Sequence, residues 1–419
     1  MSTLPLNPDV IVVGAGTAGL SAAKSLQEAG LEVVVLEAEG HVGGRCITDT
    51  ATFSVPFDRG GSWLHSAEIN PLAEIAEKNG LTLHKKPWEW ERVYSQGKIL
   101  DQSELVRYRD YQERIWEAIN HAGAADDDVV IEHVLPDYAF RDTAKQFIPQ
   151  LLGGNPDVTS VKDVFRFRDA EGDWLVSGGL GSFVKSLHSE VPVELNCPVR
   201  KIDYSGPGVC VETAKGTVRA DYLILTVSTG VLAAEAIEFL PSLPNRKLDA
   251  VNGLPNGLLN KVGIEFDPKW EEAQEGYMAD YHEGGDDCCN LLFGFFGTGL
   301  AVGFTSGRFA DSLEIEEPGA ATEFCLSGLK ALFGNDVTRH ILKTSETAWR
   351  SNPYTFGSYS YARPGLADSR KVLAEPLNDR LFFAGEATIP TAFATVHGAY
   401  LSGKEVARKI SDLAGKLEA

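Results

Sequence analysis

Val10-Ile11-Val12-Val13-Gly14-Ala15-Gly16-Thr17-Ala18-Gly19 is an apolar run that breaks into three spaced glycines, and its reading decides the fold. The apolar residues predict a buried strand, and residues 20–29 carry apolar side chains at helical spacing with Gly30 as a stop. A second apolar run, residues 33–36, ends at Glu37. Strand, tight turn, helix and strand make a βαβ unit. In such a unit Gly14 permits the turn, Gly16 lets the backbone approach a pyrophosphate, and Gly19 lets helix and strand pack closely. The anion then sits on the helix N-terminus, at Thr17 and Ala18, where free N–H groups and the helix dipole favour negative charge. Glu37, about 20 residues beyond the turn and followed by Ala38, is placed to accept from ribose hydroxyls. These residues point to a dinucleotide, and by themselves they do not say which one.

Outward from this unit, 419 residues allow two or three domains at about 150 residues each. An apolar fraction of 43% is enough for a sizeable core. No window approaches about 18 uninterrupted apolar residues, so no membrane span is expected. Residues 1–6 lack a basic segment followed by an apolar one, so no secretory leader is expected and a cytoplasmic location is the default. The formal charge of -21 disfavours nucleic acid and anionic membranes as partners. It is compatible with a cationic substrate, although solubility alone also explains it. Six scattered cysteines carry no CxxC or Cys/His metal spacing and read as small buried hydrophobes, with no metal expected.

From about residue 66 to 185 the texture is helical and charged; Leu105, Tyr108, Tyr111, Ile115, Trp116 and Ile119 fall at spacings of three and four within 102–121. The acidic run Asp126-Asp127-Asp128 reads as a solvated loop. Strand texture returns over 191–229, at 261–266 and at Leu381-Phe382-Phe383, and a terminal helix is expected over 396–413. The dinucleotide-binding domain is therefore expected to be discontinuous, residues 1–83, 187–235 and 346–419, interrupted twice by a substrate-binding domain of residues 84–186 and 236–345.

Five segments spread over the chain carry a family resemblance. They are residues 37–45 ending in Gly43-Gly44-Arg45, Asp58-Arg59-Gly60-Gly61-Ser62-Trp63-Leu64-His65, Val199 in the central β region, Ala220-Asp221-Tyr222-Leu223-Ile224-Leu225-Thr226-Val227, and Phe383-Ala384-Gly385-Glu386. The chain resembles the flavin-containing amine oxidase superfamily, polyamine oxidases included. The resemblance implies an α/β fold: a Rossmann-like FAD-binding domain of the glutathione-reductase type beside an α+β substrate-binding domain. It implies FAD as cofactor, with Gly44, Arg45, Gly60, Gly61, Ser62 and Trp63 along diphosphate and flavin, the backbone of Val199 against adenine, and Gly385 and Glu386 near the ribityl-diphosphate region. Thr395 and Val396 would open the last helix beneath the flavin, where its dipole favours negative charge.

The same resemblance implies that Lys261, in Asn260-Lys261-Val262-Gly263, is the active-site lysine that bridges through a water to flavin N5. Periodicity alone would read it as a solvent-facing strand lysine. Trp349 and the Ser358-Tyr359 pair resemble the segment ending in the aromatic wall of the amine cage. Serine at 358 cannot form the thioether that a cysteine makes in animal mitochondrial monoamine oxidases, so FAD is expected to be noncovalent. Tyr359 gives one wall of the cage, while the opposite wall falls on Thr395 rather than an aromatic residue. This asymmetry resembles the polyamine oxidase and lysine-specific histone demethylase branch. Trp63 and His65 lie where polyamine oxidases carry substrate-facing residues. The expected activity is oxidation of a C–N bond in a polyamine-like or other primary or secondary amine by hydride transfer to the flavin, giving an aldehyde, a shorter amine or ammonia, and hydrogen peroxide from oxygen. Rivals are an L-amino-acid oxidase, a desaturase-type oxidoreductase and a non-catalytic FAD-binding protein. The sequence leaves open the amine, the bond cut, the electron acceptor and the oligomeric state.

Overall fold

The computed structural model describes residues 7–85, 92–95, 98–125, 127–137, 140–271, 277–284, 286–294 and 298–415; residues 1–6 and Asp126, both read above, lie outside them. Along the chain run strands β1 (Val10–Val13), β2 (Val33–Leu36), β3 (Val193–Glu194), β4 (Tyr222–Leu225), β5 (Leu259–Phe266), β6 (Tyr277–Gly284), β7 (Asp287–Leu292), β8 (Leu300–Ser306), β9 (Ile341–Glu346) and β10 (Leu381–Phe383). The helices that matter for the site are α1 (Thr17–Glu28), α2 (Gln102–Gly123), α3 (Ala144–Leu152), α4 (Val161–Phe165) and α5 (Val396–Leu413).

The fold is α/β. Strands β3-β2-β1-β4-β10 form one parallel sheet whose members come from both ends and the middle of the chain. Its strands are buried on both faces, as parallel sheets are. Ile11, Val13, Leu36, Leu223 and Leu225 face one core, whereas Val10, Val12, Ile224 and Phe382 pack with Ala18, Leu20 and Leu26 of α1 and Val406 and Ile410 of α5. The helix α1 stops where the sequence places its stop, with Gly30 at φ +78° just beyond the cap at Ala29.

A second sheet of seven strands runs β9-β5-β8-β7-β6, then Arg92–Ser95 and Lys98–Ile99. Alternation along its strands separates two cores. Val302, Phe304, Leu292 and Met278 pack on one side with Tyr108, Tyr111, Ile115 and Ile119, which confirms the predicted stripe on α2. Ala301, Leu291, Phe293 and Ala279 face the other side with Cys325 and Leu329. The helix α2 begins at a capping box: Asp101 accepts from the Glu104 N–H, and Glu104 reaches back to the Asp101 N–H.

Two expectations are adjusted. Residues 238–240 pair in parallel with Val199–Asp203, so this stretch, expected with the substrate-binding portion, packs beside the parallel sheet instead. Asp128 is not a merely solvated acid, because its carboxylate accepts from Ser160 Oγ (2.7 Å), Lys162 N (3.1 Å) and Gly365 N (2.7 Å). No helix among the described residues is long and apolar enough to cross a membrane. All six cysteines are free and all but Cys210 are buried.

Candidate active site

A cavity of about 1060 Å³ runs from the C-terminal ends of the parallel sheet to the underside of the seven-stranded sheet. That is at the upper end of the roughly 300–1,000 Å³ of ligand pockets. At its sheet end lie Gly14, Gly16, Thr17 and Ala18. Gly14 has φ +100°, and a Cβ there would fall 2.6 Å from Thr226 Oγ1, so the turn admits only glycine. Gly16 caps α1 with no side-chain bond to the helix N–H groups, which leaves them for an anion. Gly19 does not line the cavity; a Cβ on it would run into the Gly14 carbonyl, so its task is close packing.

Glu37, Ala38 and Val199 line the same end. The buried Glu37 carboxylate accepts from Ala15 N (2.6 Å) and Glu39 N (2.8 Å), and burial pushes its pKa up. A carboxylate has about four acceptor positions, so these two bonds are compatible with further hydroxyl donors. The turn Gly43-Gly44-Arg45 is fixed by Gly43 N donating to Ala15 O (2.9 Å). Arg45 Nη1 donates to Ser358 O (2.6 Å) and to Glu386 Oε1 (3.1 Å).

Glu386, expected near the ribityl-diphosphate region, lines the cavity and holds backbone and side-chain donors of the protein. Its carboxylate accepts from Arg45, from Ser360 N (3.2 Å) and Oγ (2.7 Å), and from Ala394 N (3.0 Å), which matches its acceptor capacity with protein donors alone. It is a clasp between the Gly43–Arg45 turn and the start of α5. Behind it, fully buried Arg370 pairs with Asp163 of α4 (2.7 Å) and donates to Ser360 Oγ (2.9 Å). Sequence reasoning missed this pair, since a lone Arg and Asp two hundred residues apart carry no local signal.

At the other end of the cavity, β5 carries Lys261, which is buried at 4% exposure rather than facing solvent. Its Nζ donates to Asp58 O (2.9 Å), Gly60 O (2.5 Å) and Ser62 Oγ (2.5 Å). The nitrogen lies 5.4 Å from the Trp63 ring and 5.8 Å from Phe304. Burial disfavours the ammonium and lowers its pKa to about 8, against the opposing pull of the Asp58 carboxylate. Asp58 is itself raised by burial, although Thr48 Oγ1 (2.5 Å) and Leu180 N (2.9 Å) donate to it. Asp58 opens a segment that carries the family resemblance, but its position beneath Lys261 was not visible in the sequence.

Gly60, Gly61, Ser62, Trp63, Trp349, Ser358, Tyr359, Thr395 and Val396 all line this end. A side chain at Gly61 would meet Val396 Cγ2, so only glycine lets this loop cross the start of α5. Tyr359 donates to Gln150 O (2.5 Å), which pins its ring to α3. Ser358 Oγ accepts from Leu259 N (2.8 Å) and donates to Gly257 O (3.2 Å), a structural use. Thr395 is the N-cap of α5: its Oγ1 accepts from Gly398 N (3.0 Å) and donates to Ala392 O (2.8 Å). His65 stacks on Trp63 (6.1 Å between centroids, 21°) and pairs with Asp173 (2.8 Å). Asp127 and Glu171 are exposed. The remaining wall comes from α2 and the seven-stranded sheet, including Tyr108, Gln112, Trp116, Asp280, Asn290 and Phe304. The α2 stripe was visible as a helical face, but its use as a cavity wall was not.

A buried turn that only glycine can make, an uncapped helix N-terminus, an acid beyond the second strand and a long cavity fit FAD. Comparison with known proteins agrees. A protein-family model described as flavin containing amine oxidoreductase matches residues 17–411. The chain is 32% identical, over 97% of its own length and 57% of the relative's, to lysine-specific histone demethylase 1 homolog 2 of Oryza sativa subsp. japonica. It is 29% identical to probable polyamine oxidase 4 of Arabidopsis thaliana, covering 95% of this chain and 86% of that one. The chain spans about half the length of the histone demethylase relatives it matches. In fold it is similar to cyclohexylamine oxidase from Brevibacterium oxydans IH-35A (TM-score 0.82, 22% identity, 97% and 99% coverage) and to putrescine oxidase bound to putrescine (TM-score 0.77, 23% identity, 97% and 99% coverage). The chain belongs to the family of flavin containing amine oxidoreductases, with FAD as its cofactor.

Proposed function

We propose that this protein is an oxidase of polyamine-like primary or secondary amines that binds FAD noncovalently and reduces oxygen to hydrogen peroxide. The observation that carries this reading is the buried Lys261, its nitrogen set among Asp58 O, Gly60 O and Ser62 Oγ on the wall of a cavity that also holds Tyr359. FAD, when bound, takes up the hydrogen and electron pair removed from the carbon beside the amine nitrogen and passes them to oxygen.

In this reading Glu37 and Val199 hold the adenosine portion, while Gly14, Gly16, Thr17 and Ala18 receive the pyrophosphate with Gly44 and Arg45 nearby. Gly60, Gly61, Ser62, Trp63, Trp349 and Val396 would hold the reacting ring, and the positive end of α5 would favour negative charge on it. Tyr359 and Thr395 flank the substrate nitrogen, with Trp63 and His65 further along. Lys261 exchanges a proton with a water next to it, and its lowered pKa suits that task near neutrality. The FAD-binding portion comprises 1–83, 187–235 and 346–419, to which we add the strand at 238–240, and the substrate-binding portion the remainder of 84–186 and 236–345.

A second reading, oxidation of a methylated amine on a peptide, is favoured by the 32% identity to a protein named as a histone demethylase. The experiment is anaerobic bleaching of the purified flavoprotein with spermidine, putrescine, cyclohexylamine, L-amino acids and a methyl-lysine peptide, followed by air and a peroxide assay. Bleaching by polyamines with peroxide on re-aeration is expected. Bleaching by amino acids or by the peptide, with polyamines inert, would replace this reading by the L-amino-acid oxidase or the peptide reading.

A further inference from the structure

Asp163 and Arg370 are both fully buried, and they take no part in the chemistry proposed above. Removing a charge pair from water is expensive, so a pair held at this depth is poor evidence of stability alone. All five N–H donors of Arg370 are engaged. Nε and Nη2 form a fork on the two carboxylate oxygens of Asp163 (2.7 Å each), Nη1 donates to Ser360 Oγ (2.9 Å) and Ala387 O (3.4 Å), and Nη2 also donates to Ser360 O (3.2 Å). The guanidinium carbon lies 3.9 Å from the centre of the Phe393 ring, which lines the cavity. Asp163 is fastened in its turn, because Oδ2 accepts from Ala362 N (3.0 Å) and its own N–H donates to Ser160 Oγ (3.0 Å) at the start of α4.

Two arms lead from this pair to the cavity. One is Ser360, held by Arg370 through both hydroxyl and carbonyl, and directly beyond Tyr359 in the chain. The other passes through the same hydroxyl, which donates to Glu386 Oε2 (2.7 Å); that oxygen also accepts from Ala394 N (3.0 Å), directly before Thr395. Ala394 has φ +59°, a left-handed conformation that residues with a Cβ rarely adopt. Such strain persists only where the surroundings over-determine it, and it gathers at sites where a geometry matters. Tyr359 and Thr395 both line the cavity, so a single buried network fixes the chain on each side of it.

We propose that the Asp163–Arg370 pair is a positioning unit for the reacting amine: through Ser360 and Glu386 it keeps Ala394 in its strained turn and sets the gap between Tyr359 and Thr395. The inference rests on the amine-oxidase reading above and deepens it, since a gap of fixed width selects amines by their bulk at the carbon beside the nitrogen. Arg370 touches neither cofactor nor substrate and acts only through the residues it holds.

The test measures anaerobic flavin reduction by hexan-1-amine and by its isomer hexan-2-amine, which differ in branching at the carbon beside the nitrogen. The proteins are the wild type, Ser360→Ala, which removes the link between Arg370 and Glu386, and Arg370→Lys, which keeps the charge and loses the fork. One methylene more or less in a pocket changes specificity by about tenfold or more. The rate for the branched isomer relative to the linear one is therefore expected to rise by about fivefold or more in the variants, as the freed Ala394-Thr395 corner gives way. The dissociation constant of FAD is read alongside by fluorescence quenching. A loaded variant with the wild-type isomer ratio, whether or not it binds FAD more weakly, assigns the pair to the fold and overturns its positioning role. Where one variant fails to hold FAD the other decides, and failure of both overturns the proposal in the same way. A wild type bleached by spermidine and by neither isomer overturns selection at this gap while leaving the amine-oxidase reading intact. Flavin that no amine bleaches overturns that reading and the positioning unit with it.

Discussion

Lys261 Nζ has three acceptors in Asp58 O, Gly60 O and Ser62 Oγ, which suit an ammonium group, yet burial lowers its pKa from 10.5 to about 8. The sign of the resulting pH effect follows directly: the charged form dominates below pH 8, and the neutral amine, able to accept a proton, appears as pH rises through about 8. Ser62 Oγ can serve both forms, because a hydroxyl either accepts from the ammonium or donates to the amine. Anaerobic flavin reduction is therefore expected to speed up through pH 8, and Lys261→Met is expected to lose that limb and slow reduction by 10²–10⁴, the usual range for a proton-transfer group, while still holding FAD. Stopped-flow reduction between pH 6 and 10 reads both effects, and a variant that keeps the wild-type rate and limb removes Lys261 from the mechanism. His397, in the first turn of α5, gives a second pH effect of a different kind. Burial and nearby His65 lower its pKa from 6.5 to about 4. Here the unfolded chain takes up a proton near 6.5 that the folded chain refuses until about 4. The stability present above 6.5 is thus lost as pH falls toward 4, by about 3 kcal/mol. The drop in urea midpoint between pH 7.5 and 4.5 is expected to be smaller in His397→Gln than in the wild type; equal drops would clear this residue of the effect.

At the scale of elements, the crossing of α1 over α5 ties the first glycine turn to the last helix. Ser21 Oγ donates to Tyr400 O (2.9 Å), and a Cβ on Gly403 would collide with the Ala18 carbonyl and Ser21 Oγ. Gly403→Ala is expected to force the helices apart at a cost of about 1–3 kcal/mol. The FAD affinity should fall in parallel, since α1 carries the turn. Urea unfolding with and without added FAD measures both, and an unchanged midpoint would mean that the crossing relaxes freely. This crossing marks the limit of what local sequence conveys. The βαβ unit, the stop at Gly30, β10 and the bounds of α5 were legible because each is written in a few adjacent residues with their own turn or cap chemistry. The placement of Lys261 was legible only through resemblance, since periodicity put it in solvent. The burial of Asp58 beneath Lys261 and the Asp163–Arg370 pair were not legible at all. Register between strands and the meeting of residues two hundred positions apart are tertiary facts, and Asp287-Cys288-Cys289-Asn290-Leu291-Leu292 shows no simple alternation that would flag its cavity face.

Across the whole molecule, the parallel sheet needs residues 10–13, 33–36, 193–194, 222–225 and 381–383 together, so the FAD site exists only when both ends of the chain have met. The same assembly bears a formal charge of -21, and the cavity is lined by the carboxylates of Asp169 and Asp173 as well as Asp280. An excess of one sign over a surface, concentrated at a cleft, attracts ligands of the opposite sign and raises their encounter rate. Salt screens such attraction over about 10 Å at 0.1 M and about 3 Å at 1 M. If the acidic charge serves the substrate, kcat/KM for a diamine is expected to fall roughly tenfold between 10 mM and 0.5 M salt with kcat little changed, because steering acts on arrival and not on the chemical step. The fall should be shallower for a singly charged alkylamine, whose attraction to the same field is smaller. Steady-state kinetics across ionic strength makes the comparison. A flat profile for the diamine would assign the negative charge to solubility alone.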